Sequence, residues 1–198
     1  MTKSVVEHLP ADFDEMYLGT PPWDTGRPQK GLIDVPLHGR VLDIGCGTGE
    51  HALMAASRGF DATGIDSAAK AIAIAENKAA ERGVHARFVV WNALALGRLG
   101  EQFDTVLDCG LFHVFSDADR ARYVESLAAA VPDGGRFFML CFSNAEPGEW
   151  GPRRIKRQEI ALSFAQGWRI DAIEPAEIEI NVDPKGAQGW RASLTRVS

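Results

Sequence analysis

The segment VLDIGCGTGE (Val41 to Glu50) sets glycines at 45, 47 and 49 directly after a short apolar run and before a stretch that reads as helix. Glycine at such a turn lets the main chain bend tightly and approach a ligand that a Cβ would exclude. The dinucleotide fingerprint G-x-G-x-x-G requires glycine at 50, but Glu50 stands there, and an acid at a helix start opposes a pyrophosphate. The lysine and hydroxyl of a triphosphate-binding loop are missing as well. Asp66 ends the next apolar run, about 20 residues on, where a carboxylate accepts hydrogen bonds from ribose hydroxyls. With Asp43 inside the first run and Asn92-Ala93 after a third, the pattern fits a nucleoside without a pyrophosphate.

These residues need a sheet to hold them. Short apolar runs alternate with Ala-rich stretches from Arg40 onward, which predicts parallel strands covered by helices. Strands are expected at Val41–Ile44, Ala62–Ile65, Phe88–Trp91, Thr105–Asp108 and Arg136–Phe142. Between them, a helix over Glu50–Arg58 would be closed by Gly59, and one capped by Ser67 would run to Arg82 and stop at Gly83. Asp117 would cap a helix carrying Tyr123, Val124, Leu127 and Ala128 on one face, followed by a turn at Pro132–Gly135. A helix near Gln158–Gln166 and strands at Trp168–Ile173 and Gly189–Thr195 complete the chain, the last two as an antiparallel edge pair. The expected fold is α/β, seven strands in a mostly parallel sheet with helices on both faces. Residues 1–198 read as one domain: a lid and cap over 1–39, a binding core over 40–143, and an acceptor loop with the C-terminal strands over 144–198.

With 21 Lys and Arg against 27 Asp and Glu, the net charge of −6 opposes general polyanion binding, so no nucleic-acid partner is expected. Cys46, Cys109 and Cys141 form no CxxC pair, and no cluster of acids and histidines has metal-site spacing, so no metal is expected. His8, His38, His51 and His85 have no companion pattern. The first residues lack the apolar core of a secretory signal, and the densest apolar stretch, Phe137–Phe142, falls far short of the ~18 residues needed to span a bilayer. A cytoplasmic protein without a membrane partner is the expectation.

VLDIGCGTGE and the later ATGIDSA (Ala62–Ala68) resemble the first and second motifs of the class I S-adenosylmethionine-dependent methyltransferases, over about Arg40 to Phe142. The resemblance implies a Rossmann-like fold with S-adenosylmethionine as cofactor and S-adenosylhomocysteine as product. It implies that Gly45, Cys46, Gly47 and Gly49 hold the methionine portion, Asp66 beside Ser67 the ribose hydroxyls, and Asn92 with Ala93 the adenine edge, with Asp43 supporting the loop and Asp108 bordering the cofactor. Many relatives carry Asp where Asn92 stands.

The leader MYLGTPPWDTGRPQ (Met16–Gln29) is similar to the N-terminal lid of thiopurine and of thiol or halide methyltransferases. Together with DCGLFHVF (Asp108–Phe115) and CFSN (Cys141–Asn144) it resembles the bacterial heterocyclic toxin methyltransferases, which methylate planar aromatics. By that resemblance Tyr17, Trp23 and Gly26 lie around the cofactor and the lid closes over the acceptor, expected to be a small heteroaromatic or phenol methylated on N or O; Tyr17 and His113, the latter from its place after the strand ending at Asp108, are the candidate catalytic residues. A thiol or halide acceptor, and a noncatalytic S-adenosylmethionine sensor, remain as alternatives. The expected oligomeric state is a monomer or weak homodimer.

Loss of the sulfonium charge during transfer requires positioning and exclusion of water more than acid or base machinery. Trp23, Tyr17 and Phe112 could face the cation, although Trp23 could equally plug the core. His113 could take a proton from the acceptor, or be bonded to backbone and shape its loop. Phe142 could line the acceptor cavity, and Trp150 could stack on a flat ring or anchor its loop. Arg153, Arg154, Lys156 and Arg157 could bind an anionic acceptor or form a solvated cluster. Thr20 in TPPW cannot replace the amide or acid of the similar motif in nucleic-acid adenine methyltransferases. No Tyr precedes a Lys by four, as a short-chain dehydrogenase needs: Pro21 follows Tyr17 at that spacing, and Leu127 follows Tyr123.

Overall fold

A computed structural model describes residues 13–198; His8 and the first part of the lid lie outside the described residues. Two one-turn helices, α1 (Phe13–Met16) and α2 (Lys30–Ile33), flank the Pro-rich lid loop. The core then alternates β1 (Arg40–Ile44), α3 (Glu50–Ser57), β2 (Asp61–Asp66), α4 (Ala69–Arg82), β3 (Arg87–Val90), β4 (Thr105–Cys109), α5 (Asp117–Ala130) and β5 (Arg136–Phe142). Short 3₁₀ turns at Ala93–Leu99 and Phe112–Val114 follow β3 and precede α5. The chain ends in α6 (Arg157–Ser163), β6 (Trp168–Ile178) and β7 (Ala187–Arg196).

The seven strands form one sheet in the order β3-β2-β1-β4-β5-β7-β6, parallel from β3 to β5 and antiparallel across β5, β7 and β6. The order reverses between β1 and β4, and ligands bind open α/β sheets at the carboxyl ends of strands beside such a switch point. Both faces are covered, which is why the inner strands are apolar throughout rather than alternating. On one face Phe137, Met139 and Cys141 pack with Tyr123, Leu127 and Ala130 of α5 and Ile160 of α6. On the other, Val41, Leu107, Phe138 and Leu140 meet Leu32, Met54 and Ala55. Each fully buried Leu or Phe contributes about 1.5–3 kcal/mol.

Two expected helix caps are displaced by one residue. The cap of α4 is Ala68, not Ser67; the Asp66 carboxylate accepts the Ala68 N–H at 2.8 Å, and Ser67 is left exposed. Ser116, not Asp117, caps α5, its hydroxyl accepting the Asp119 N–H at 3.1 Å. Strand β6 runs past the expected Ile173 to Ile178, through Pro175. An edge strand tolerates a residue without an N–H, and β6 is the sheet's edge.

Candidate active site

Four carboxyl ends converge at the switch point. After β1 the chain turns through Gly45, Gly47 and Gly49 with φ of 68°, 51° and 84°, values that L side chains resist. The reasons differ by position. A Cβ on Gly49 would sit 2.7 Å from Phe88 and 2.8 Å from Ala75, and one on Gly45 would press on Leu111 at 3.0 Å, so these two glycines serve packing. A Cβ on Gly47 would meet the Tyr17 hydroxyl oxygen at 2.8 Å; this glycine bares the main chain toward the lid. Cys46 between them is buried, with its N–H on the Ile65 carbonyl, and burial pushes its thiol well up.

Asp66 stands at the end of β2 beside this turn. Its Oδ2 accepts the Gly47 N–H at 2.8 Å and its Oδ1 the Ala68 N–H at 2.8 Å, so the carboxylate is fixed in rotation. Burial raises its pKa while those amides oppose the rise. The Ser67 N–H also bonds this carboxylate, and since a carboxylate offers about four lone-pair sites, acceptor capacity remains for a hydroxyl. Asp43 faces inward: Oδ2 accepts the Ala52 N–H at 3.0 Å, Oδ1 has no partner, and burial lifts it to about 7. Asn92 is exposed and caps the 3₁₀ turn, accepting the Leu94 N–H at 2.9 Å, while Ser126 fastens the turn by donating to the Ala93 carbonyl at 2.8 Å.

Glu50 corrects an electrostatic premise. Its carboxylate turns away from the glycine turn and binds Lys78 at 2.8 Å and Arg82 at 2.8 Å, which hold its pKa down against burial. The acid therefore ties α3 to α4, and its charge is met on the spot.

The lid lies on this turn. Tyr17 is buried, its hydroxyl accepting from Trp23 Nε1 at 3.1 Å; burial, with Asp66 and Asp24 nearby, pushes the phenol up, so it stays protonated. Trp23 does not plug the core: it is 41% exposed and meets Phe13 and Tyr17 edge-on. Gly26 is exposed, φ 66°, its N–H on Asp24 Oδ1 at 3.3 Å. Nothing in the sequence pattern marked the residues that fasten the lid. Thr48 donates to Asp24 Oδ1 at 3.0 Å and accepts from Lys78 at 2.7 Å. The Gln29 side chain exchanges two 2.8 Å hydrogen bonds with the Glu179 backbone, and the Gln29 N–H reaches His51 Nε2 at 3.1 Å.

Three expected ligand-facing residues turn inward instead. Asp108 is fully buried: Leu111 N–H, Phe112 N–H and the Tyr123 hydroxyl donate to it, and burial lifts it to about 7, so it braces the turn after β4. Phe112 is also fully buried, stacked on Phe164 at 5.8 Å with the Arg120 guanidinium 4.8 Å from its ring centre. His113 Nδ1 accepts the Phe142 N–H at 2.9 Å. That nitrogen is thus unprotonated and spent, the proton sits on Nε2, and burial beside Arg154 holds the ring down to about 3. His113 has neither the free lone pair nor the basicity of a general base at neutral pH.

Phe142, at the end of β5, is buried as well rather than lining an open cavity: its ring packs edge-on against His113 at 5.1 Å and Trp150 at 5.3 Å, and of these only Trp150, 42% exposed, reaches the surface. A groove of about 490 Å³ is lined by Arg153, Arg154, Lys156, Gln158, Glu159 and Leu162, and neither Phe142 nor Trp150 belongs to its lining. Arg153 is bound to Asp117 and Glu159, not free for an anion. Among the described residues no group of His, Cys, Asp and Glu is placed to hold a metal ion, and no helix is long and apolar enough to cross a membrane.

The side-chain-free turn at Gly47, now covered by the Tyr17 hydroxyl, and the fixed Asp66 carboxylate fit a nucleoside whose chain lies on main chain and whose hydroxyls need an acceptor, as S-adenosylmethionine requires. Residues 41–135 match the family model described as Methyltransferase domain. The chain belongs to the S-adenosylmethionine-dependent methyltransferases, in their class I small-molecule branch, and uses that cofactor. It is 32% identical over 194 residues to the 2-heptyl-1-hydroxyquinolin-4(1H)-one methyltransferase of Mycobacteroides abscessus, covering 90% of this chain and 86% of that protein. A ubiquinone biosynthesis O-methyltransferase of Sinorhizobium fredii is 38% identical over 172 residues, covering 82% of this chain and 62% of that one. A solved structure from work on the conversion of a disulfide bond into a thioacetal group during echinomycin biosynthesis aligns with TM-score 0.84 and 31% identity, over 93% of this chain and 91% of that one.

Proposed function

We propose that this methyltransferase acts on a hydroxyl or ring nitrogen of a small planar heteroaromatic. The observation that carries the reading is the similarity along 90% of the chain to an enzyme named for a hydroxyquinolone, joined to the exposed Trp150 ring that packs on buried Phe142 beyond the end of β5. S-adenosylmethionine supplies the methyl group and a sulfonium whose charge vanishes on transfer. Gly45 to Gly49 receive its methionine portion, Asp66 its ribose hydroxyls, and Asn92 with Ala93 its adenine edge. The Tyr17 hydroxyl stands against Gly47, so Tyr17 and Trp23 would have to shift to admit the cofactor and could then cover it and exclude water. Because His113 is no base, the acceptor gives its proton to solvent before or during attack, and acidic ring hydroxyls are favoured over amines. Methylation of a sulfur acceptor is the second reading, favoured by the relative tied to disulfide and thioacetal chemistry.

Incubation with methyl-labelled S-adenosylmethionine and a panel of 1-hydroxyquinolin-4(1H)-ones, phenols, aryl thiols and halide ions tests this. Label should enter the hydroxyquinolones first, and Asp66→Ala should weaken cofactor affinity about tenfold or more, as expected for a charged hydrogen bond. Transfer to thiols alone selects the second reading. Cofactor binding without transfer to any acceptor overturns both in favour of a sensor.

A further inference from the structure

The loop from Asn144 to Ile155 leaves β5 and returns to it. Its ends are pinned by Asn144 N–H on the Ile155 carbonyl and Ile155 N–H on the Phe142 carbonyl, both 3.0 Å. Gly148 and Gly151 turn through φ of 74° and 69°, and Pro147 and Pro152 have no N–H to offer. Such a course aims carbonyl oxygens inward without supplying amides to meet them. One side chain meets five. Arg154 donates from Nε to the Glu146 carbonyl at 3.2 Å, from Nη1 to Trp150 and Pro152 at 2.7 Å each, and from Nη2 to Pro147 and Gly148 at 3.2 Å each. A guanidinium has five N–H donors in a fixed planar fork, so donors and acceptors match one to one. The same group lies 5.3 Å from the Phe142 ring centre and 5.4 Å from that of Trp150, within reach of cation–π attraction to both.

We infer that Arg154 is the positioning residue of the acceptor site: it fastens the 146–152 main chain and so presets the exposed Trp150 ring, backed by the buried Phe142, as a wall for a flat ring. With its hydrogen-bond donors spent on carbonyls, it acts through Trp150 rather than by gripping an anionic acceptor. The inference rests on the proposed reading for what the wall receives, but not for how the wall is built.

Two measurements on the full chain test these halves separately. Arg154→Lys keeps the charge and loses the fork, so amide hydrogen exchange over 146–153 should quicken about tenfold or more while β1 to β5 keep wild-type protection. For any acceptor turned over by the wild type, starting with a 1-hydroxyquinolin-4(1H)-one, Arg154→Lys should raise KM about tenfold, with kcat and the calorimetric cofactor affinity within about twofold. Trp150→Ala should raise KM similarly, and the double variant should be no worse than the more impaired single, since one residue acts through the other. Unchanged exchange in the loop, unchanged KM, or full additivity of the two substitutions overturns the inference. If the wild type methylates no acceptor, the proposed function falls, and the exchange result alone still decides whether Arg154 holds the loop.

Discussion

His113 shows how a chemically suggestive residue is decided by one hydrogen bond. Its place after β4 fits a base, but the Phe142 N–H occupies Nδ1, and the ring is held near 3 rather than its usual 6.5. His113→Asn offers a carbonyl oxygen to the same N–H, so turnover should stay within about threefold of wild type at every pH, where loss of a true base costs 10²–10⁴-fold. A linked effect on stability has a definite sign. Between pH 3 and 6.5 the unfolded chain takes a proton on His113 that the folded chain refuses, so stability is lost as pH falls through that window. Wild type should therefore gain stability relative to His113→Asn between pH 4.5 and 7, read as urea midpoints; a constant difference would mean the ring titrates normally. At this scale the sequence was legible where the main chain demanded a residue type, as at Gly45, Gly47 and Gly49. It was illegible where a side chain's direction decided, since Asp108 and Phe112 occupy ligand-edge positions in the chain yet point into the core.

Elements are legible in the sequence where local chemistry and burial agree. The β1 to β5 strands and the left-handed stop at Gly83 need only apolar runs and a glycine. The caps at Ala68 and Ser116 slipped by one residue because Asp66 reaches forward to Ala68, and because Ser116 and Asp117 are both good caps that only geometry separates. The joint between lid and glycine turn had no sequence signal, since Asp24, Thr48 and Lys78 meet from three separate segments. Thr48 is buried and both donates and accepts there. Thr48→Val keeps the shape and removes both bonds, each worth about 0.5–1.5 kcal/mol. If the joint holds the lid over the cofactor, the loss of about 1–3 kcal/mol should lower affinity for S-adenosylmethionine about 5- to 150-fold by calorimetry. A lower melting temperature with unchanged affinity would confine Thr48 to packing.

At the scale of the whole molecule, the sheet edge and the lid are one assembly although their sequences lie far apart. Gln29 follows the lid loop and Glu179 follows β6. The Gln29 amide donates to the Glu179 carbonyl and accepts its N–H, both at 2.8 Å, and both residues are buried. Asn181 adds its N–H to the Pro22 carbonyl at 2.9 Å and its amide to that of Pro21 at 2.8 Å. Extension of β6 beyond the sequence expectation is what carries Glu179 to this meeting point. Gln29→Ala would leave two buried backbone groups unpaired, at about 1–3 kcal/mol each. The urea midpoint should fall accordingly at unchanged slope, and residues 17–28 should become the first site of proteolysis. Gln29→Glu retains an acceptor for the Glu179 N–H but offers no donor to its carbonyl and adds a charge beside the Glu179 carboxylate, so it should be the more damaging of the two. Wild-type midpoints in both variants would mean that the Gln29 bonds do not hold the lid to the sheet edge, leaving that role to the Asn181 bonds and the Arg27 and Lys30 ion pairs with Glu179.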